Sequence, residues 1–181
     1  GGSITMTFEA PLRNGDGFDF AVFENAFRDD FLELAFVEVS SDGQRFVRFP
    51  ATSNVPTDVQ TGTFGLTDTR LLKNLAGKYI ANFGTPFDLE ELRDSSGLEL
   101  DRITHIRVVD VVGSINDAYA SYDAQGQAGN DPWPTPFASG GFDLDAVGVL
   151  YQNLPLSNRD LQVRAPICYP NPVSGPLLHI T

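Results

Sequence analysis

"NGDGFDFAVFEN", residues 14–25, is a turn-forming cluster that runs straight into an apolar stretch, Phe18 to Phe23, which stops on Glu24 and Asn25. Gly, Asn and Asp supply the backbone freedom of a turn, and the Phe- and Val-containing run after them has the length and composition of a β-strand. Alternate side chains of a strand share a face, so Phe20, Val22 and Glu24 form one row and Asp19, Ala21 and Phe23 the other. An apolar strand with a carboxylate at each end must do something with those charges.

The same grammar recurs along the chain. Short runs rich in Val, Ile, Phe and Thr are separated by Gly, Asn, Asp and Pro, which specifies an all-β domain. Strands are expected at residues 3–8, 18–24, 33–40, 45–49, 78–82, 103–112 and 143–151. Ser41-Asp42-Gly43-Gln44 reads as a hairpin turn. Two short helical turns interrupt the strands. One places Leu71, Leu72 and Leu75 at helical spacing before Gly77; the other has Thr85 as cap, Pro86 at its first position and Leu89 and Leu92 on one face. Residues 1–151 form the sandwich domain, 152–165 read as a linker, and 166–181 as the start of a further, truncated unit.

The chain has 181 residues, with 12 Lys and Arg against 24 Asp and Glu, a net charge of −12. That balance repels a phosphate backbone and argues against a nucleic-acid partner. One cysteine, Cys168, excludes an intrachain disulfide, and with only His105 and His179 beside it any metal would be held by oxygen. No apolar run is long enough to insert into a membrane. The abrupt Gly1-Gly2-Ser3-Ile4 start reads as a cut, with any export signal upstream.

Several acids fall on rows that face inward. Arg107 marks the outward face of its strand, which leaves Asp110 in the row of Ile106 and Val108. Asp143 and Asp145 continue the row of Val147 and Val149, although Leu144 and Leu150 leave that assignment open. An ionised carboxylate withdrawn from water costs several kcal/mol unless it is paired, and basic residues are scarce. Such acids are either solvated, bonded to turn amides or paired with Arg, or else they share a cation. Calcium, which takes six to eight oxygens, suits the second reading. Asp110, Asp143 and Asp145 are the first candidate ligands, with Glu24, Asp19 and Asn25 behind them; no contiguous EF-hand loop is present.

Residues 115–141 form a long loop rich in Gly, Pro, Asp and Asn, and loops of that length in compact domains are often functional. Trp133, Tyr119 and Tyr122 make it the candidate surface for a glycan or protein partner. Ser139 lacks a nucleophile-elbow frame, and His105 lies on the outward row. A hydrolase or lyase working on polysaccharide through the inward acids, and a passive spacer, are the competing functional classes.

Two resemblances add to this reading. "YPNPVSGPLLHI", residues 169–180, resembles the opening of the C-terminal sorting domain that directs Bacteroidetes proteins through the type IX secretion system. It implies the secretion machinery as a partner and an extracellular or outer-surface location. "GFDFAVFENAF", "FVEVSSDGQRFVRFP", "IRVVDVVG" and "GGFDLDAVGVL" resemble bacterial cell-surface proteins, and "VEVSSDGQRF" is similar to the hairpin of discoidin-like, galactose-binding-like folds. That likeness implies a jelly-roll β-sandwich, a structural calcium ion and, in some members, glycan binding. The expectation is therefore a secreted, non-catalytic binding or adhesion module.

Overall fold

The computed structural model describes residues 1–26, 28, 30–135 and 140–154, and the backbone of residues 168–169. In chain order the strands are β1 (Ser3–Leu12), β2 (Phe20–Glu24), β3 (Ala35–Ser40), β4 (Val47–Arg48), β5 (Thr52–Ser53), β6 (Leu72–Lys73), β7 (Leu75–Ala76), β8 (Thr85–Phe87), β9 (Ile103–Asp110), β10 (Leu144–Val149) and β11 (Cys168–Tyr169). Every pairing among them is antiparallel. One sheet runs β1-β9-β3-β4, with β7 also on β3; the second runs β11-β10-β2-β8; β5 and β6 form a small third ladder. The protein is an all-β sandwich, and among the described residues no helix is long and apolar enough to cross a membrane.

Alternation builds the core. Phe20 and Val22 of β2, Phe87 of β8 and Val147 of β10 meet Val37 and Val39 of β3 and Ile106 and Val108 of β9 between the two main sheets. At the centre Phe20 stacks on Phe87 with ring centroids 5.3 Å apart, and Phe49 closes on both at 5.8 and 4.9 Å.

Strand β3 is buried at all six positions. Its second row is covered because residues of the 50–76 segment fold over that face: Phe36 joins Leu32, Leu34, Ala51, Val55, Leu72 and Leu75 in a second apolar cluster. Glu38, also in that row, is held by the guanidinium groups of Arg48 and Arg107, whose Nε atoms donate at 2.9 and 2.6 Å. Two charged partners compensate that buried carboxylate.

Local expectations fail where tertiary pairing outweighs propensity. Leu71, Leu72 and Leu75 do not share a helix. A single 3-10 turn, Thr69–Leu71, leads into β6 and β7, and Asn74 between them takes a φ of 53°. Residues 78–82 form no strand, and the edge of the second sheet is β8, whose Pro86 is tolerated because an edge strand need not donate on both sides. The second turn, Leu89–Leu92, is capped by Asp88 instead of Thr85; the Asp88 carboxylate accepts from the Glu90 amide at 2.9 Å. Past residue 151 the chain keeps contact: Gln152 bridges Leu12, and the Asn153 amide donates to Pro11 at 2.9 Å. Residues 155–167 and 170–181, which hold most of the expected linker and sorting unit, lie outside the described residues, while β11 pairs with β10 through Tyr169 and Cys168.

Gly77 earns its place through backbone geometry. Its φ is +83°, and a Cβ there would sit 2.0 Å from the Glu33 carbonyl oxygen. Gly77→Ala is expected to cost at least about 2 kcal/mol, a drop in melting temperature of roughly 4–8 °C for a chain of this size. Gly62→Ala, which meets nothing within 4 Å, is the control that should melt near the wild type in the same thermal scans.

Candidate functional site

The antiparallel pairing brings four strand ends to one rim: the finish of β2 and β9 and the start of β3 and β10. Each contributes an acid. Glu24 ends β2 in the inward row of Phe20 and Val22 and is 4% exposed. Asp110 ends β9 opposite Ala35, in the half-buried continuation of the Ile106 and Val108 row. Glu33 lies just before β3, and Asp143 just before β10. Asp131, from the long loop, comes in beneath them, 5% exposed.

The segment at residues 140–143 ties these groups together. The Gly141 amide donates to Glu33 Oε1 at 3.1 Å, the Phe142 amide to Asp110 Oδ1 at 2.8 Å, and the Asn25 amide to the Asp143 carbonyl at 3.2 Å. Gly141 must lack a side chain, since a Cβ would lie 2.7 Å from Asp110 Oδ1 at a φ of +109°. The Gly1 amino nitrogen is 3.5 Å from Asp110 Oδ2. Asp131 Oδ2 accepts from the Leu34 amide at 3.0 Å. Two buried oxygens, Glu24 Oε2 and Asp131 Oδ1, have no hydrogen-bond partner.

The electrostatic consequence is self-repulsion. Desolvation pushes the Glu24 carboxyl up to about 8, helped by the charges of Glu33, Asp143 and Asp145 and opposed by the Ala26 amide. Glu33 is raised first by burial, then by Asp110 and Asp143, against the Gly141 amide. Asp131 is raised well above the usual carboxylate range by burial, with Glu33, Asp110 and Glu24 adding to it and the Leu34 amide opposing. Glu24, Asn25, Glu33 and Asp143 open onto a cleft of about 470 Å³ whose remaining wall includes Phe31, Thr63, Phe64, Pro132 and Thr135. Among the described residues no three Asp, Glu, His or Cys side chains are arranged as a ready chelating group. The donor set is oxygen throughout, which suits a hard cation, and the two unpartnered buried oxygens are the groups a cation would satisfy.

The predicted residues divide accordingly. Glu24, Asn25, Asp110 and Asp143 come together. Asp145 is exposed and reaches Glu24 only through its field. The expected inward row of Asp143, Asp145, Val147 and Val149 is not the one observed. Leu144 pairs with Glu24 and packs on the core, and a bulge between Leu144 and Ala146 absorbs one residue before Val147 pairs with Val22. Asp19 sits at the opposite end of β2, fully buried, its two oxygens accepting from the Gly15 and Leu89 amides at 2.7 Å each. It closes a turn and has no place in the cleft. Glu33 and Asp131 were missed. Glu33 shares the inward parity of Ala35, Val37 and Val39, a signal open to the same row argument, whereas Asp131 lies in a loop with no periodicity to read.

The 115–141 loop is laced to the 53–61 segment. Gln127 donates to the Ser53 and Val55 carbonyls at 2.6 and 3.0 Å, and Asn130 to those of Pro56 and Val59 at 2.7 and 2.8 Å. Tyr119, 63% exposed, stacks near Trp133 with centroids 6.5 Å apart. Tyr122 points elsewhere, its hydroxyl donating to Asp117 at 2.9 Å. The three aromatics thus make a Tyr119–Trp133 shelf and a separate Tyr122 depression.

Fold and site together define an all-β sandwich with an acidic cleft at one rim. No family model, curated protein or solved structure matches the chain.

Proposed function

We propose that this chain is a secreted, surface-displayed, non-catalytic binding module of jelly-roll type, whose acidic rim is completed by a calcium ion. The observation that carries the ion is the pair of buried, unpartnered oxygens on Glu24 and Asp131, set among Glu33, Asp110 and Asp143. A buried charge without a partner is strongly unfavourable, and a divalent cation attracts every carboxylate of the cluster and so offsets their mutual repulsion. Asp110 and Asp143 remain ligand candidates, joined by Glu24, Asp131 and Glu33, with the Asn25 amide oxygen beside them. Calcium here is structural, tying the ends of β2, β3, β9 and β10. The Tyr119–Trp133 shelf is the proposed glycan or protein contact, and the resemblance of residues 169–180 to a sorting domain supports display on the outer surface.

Thermal unfolding tests the ion. Extracellular modules bind calcium with dissociation constants near 10⁻⁴–10⁻³ M. At about 100 times such a constant the folded state gains roughly 2.7 kcal/mol, an expected rise of about 5–10 °C over the chelated protein. Melting that ignores both calcium and chelator refutes the proposal.

A further inference from the structure

The cleft beside the rim has a volume of about 470 Å³, within the range of pockets that take small organic groups. Its lining is divided in character. Glu24, Glu33 and Asp143 supply carboxylates, Phe31, Phe64 and Pro132 supply apolar surface, and no Lys, Arg or His is among the described residues that line it. Glu24 is 4% exposed, and its Oε2 has no hydrogen-bond partner. Phe64 is 69% exposed, an apolar ring left facing water beside these charges. The segments that carry these groups are held in place: Thr63 Oγ1 donates to the Pro134 carbonyl at 2.8 Å, and the Gly141 amide to Glu33 Oε1 at 3.1 Å.

We infer that the cleft receives a lysine side chain presented by a partner protein, its ammonium placed among the carboxylates of Glu24, Glu33 and Asp143 and its methylene stem lying on Phe64. The positive charge follows from three acids with no cationic residue beside them in the lining and from a chain whose net charge of −12 draws cations toward it. The ammonium supplies the charge that the buried Glu24 carboxylate lacks. It needs no closed shell of six to eight oxygens, since three acceptors satisfy it and water can serve as one of them. Carboxylates from three separate segments suit its three rotatable donors better than the planar fork of arginine. The stem follows from the apolar wall: lysine lays its methylenes on apolar surface while its head stays among polar groups, and an aromatic ring face attracts the charge itself. This inference does not rest on the calcium reading. The two cations draw on the same carboxylates and compete for them.

The test uses the whole chain, ligand-observed NMR in chelator, and capped tripeptides in which lysine, norleucine, acetyl-lysine or arginine stands between two glycines, with butylammonium as the free amine. The expected result is that the lysine peptide binds at least about tenfold more tightly than the norleucine and acetyl-lysine peptides, and more weakly as salt is raised. Glu33→Gln, which keeps an oxygen for the Gly141 amide, should weaken lysine binding about fivefold or more, and Phe64→Ala about threefold or more. Equal binding of the norleucine peptide, or no binding of the lysine peptide, overturns the inference. Tighter binding of the arginine peptide overturns the choice of lysine, and butylammonium binding without the lysine peptide overturns the protein source. Calcium titrated into the same samples separates the two readings. Lysine binding to a chain that ignores calcium leaves this inference standing and removes the ion, while calcium binding with no peptide bound does the reverse.

Discussion

In chelator, the unfolding free energy should fall as the pH rises from about 4.5 to about 8, the interval between the ordinary value of the Glu24 carboxyl and its value in the fold. Below that window Glu24 is protonated in both folded and unfolded chains and contributes nothing to the difference. Within it the unfolded chain releases the proton and the folded chain keeps it, so stability declines, and above about 8 the full penalty has been reached. Each unit of separation is worth ~1.4 kcal/mol, so the loss attributable to Glu24 is on the order of 3–5 kcal/mol. Glu33 and Asp131, raised for the same reasons, steepen the decline.

Glu24→Gln removes that contribution. The chelated variant should exceed the chelated wild type by about 2–4 kcal/mol at high pH, and match it within ~0.5 kcal/mol near pH 4. Saturating calcium should reverse the slope for the wild type, because the ion displaces protons from its ligands, and should have little effect on the variant. Urea unfolding from pH 4 to 9, with and without calcium, reads all of this. A profile that is flat in chelator would remove the physical basis for an ion at the rim.

Phe20→Ala carries the largest expected loss unrelated to the cleft. Phe20 is fully buried and touches both Phe49 and Phe87, with centroids 5.8 and 5.3 Å away. Truncation deletes most of a ring at the junction of two sheets, where neighbouring strands are fixed by their own ladders and cannot collapse into the void. Such changes cost about 3–5 kcal/mol, or roughly 6–20 °C in melting temperature at this chain length. Phe64→Ala, at an exposed position, should stay within ~0.5 kcal/mol of the wild type. Comparable losses for the two would mean that the aromatic trio is not the packing centre.

Alternation holds at 14–25 because β2 is regular: Phe20, Val22 and Glu24 face in. Asp110 likewise continues the row of Ile106 and Val108 on β9. On β10 alternation breaks because a bulge inserts one residue after Leu144, and a single inserted residue inverts the face of everything before it. The 71–75 leucines misled in another way. Their spacing suits a helix, but β7 pairs Ala76 with Ala35 and Leu75 with Phe36, and those ladder bonds together with burial outweigh a weak local preference.

What the sequence determined by itself was the strand alternation, the acidic surplus and the presence of carboxylates at strand ends, since each depends only on local spacing and composition. Which of those ends share a rim was decided by tertiary structure alone. Asp19 and Glu24 bracket the same strand, yet both oxygens of the first accept from backbone amides, while the second keeps one oxygen without a partner among four further acids. The difference is set by antiparallel pairing over long sequence separations, which brings Glu33, Asp110 and Asp143 to Glu24, with Asp131 reaching them from the long loop, and leaves Asp19 at the other end among backbone amides.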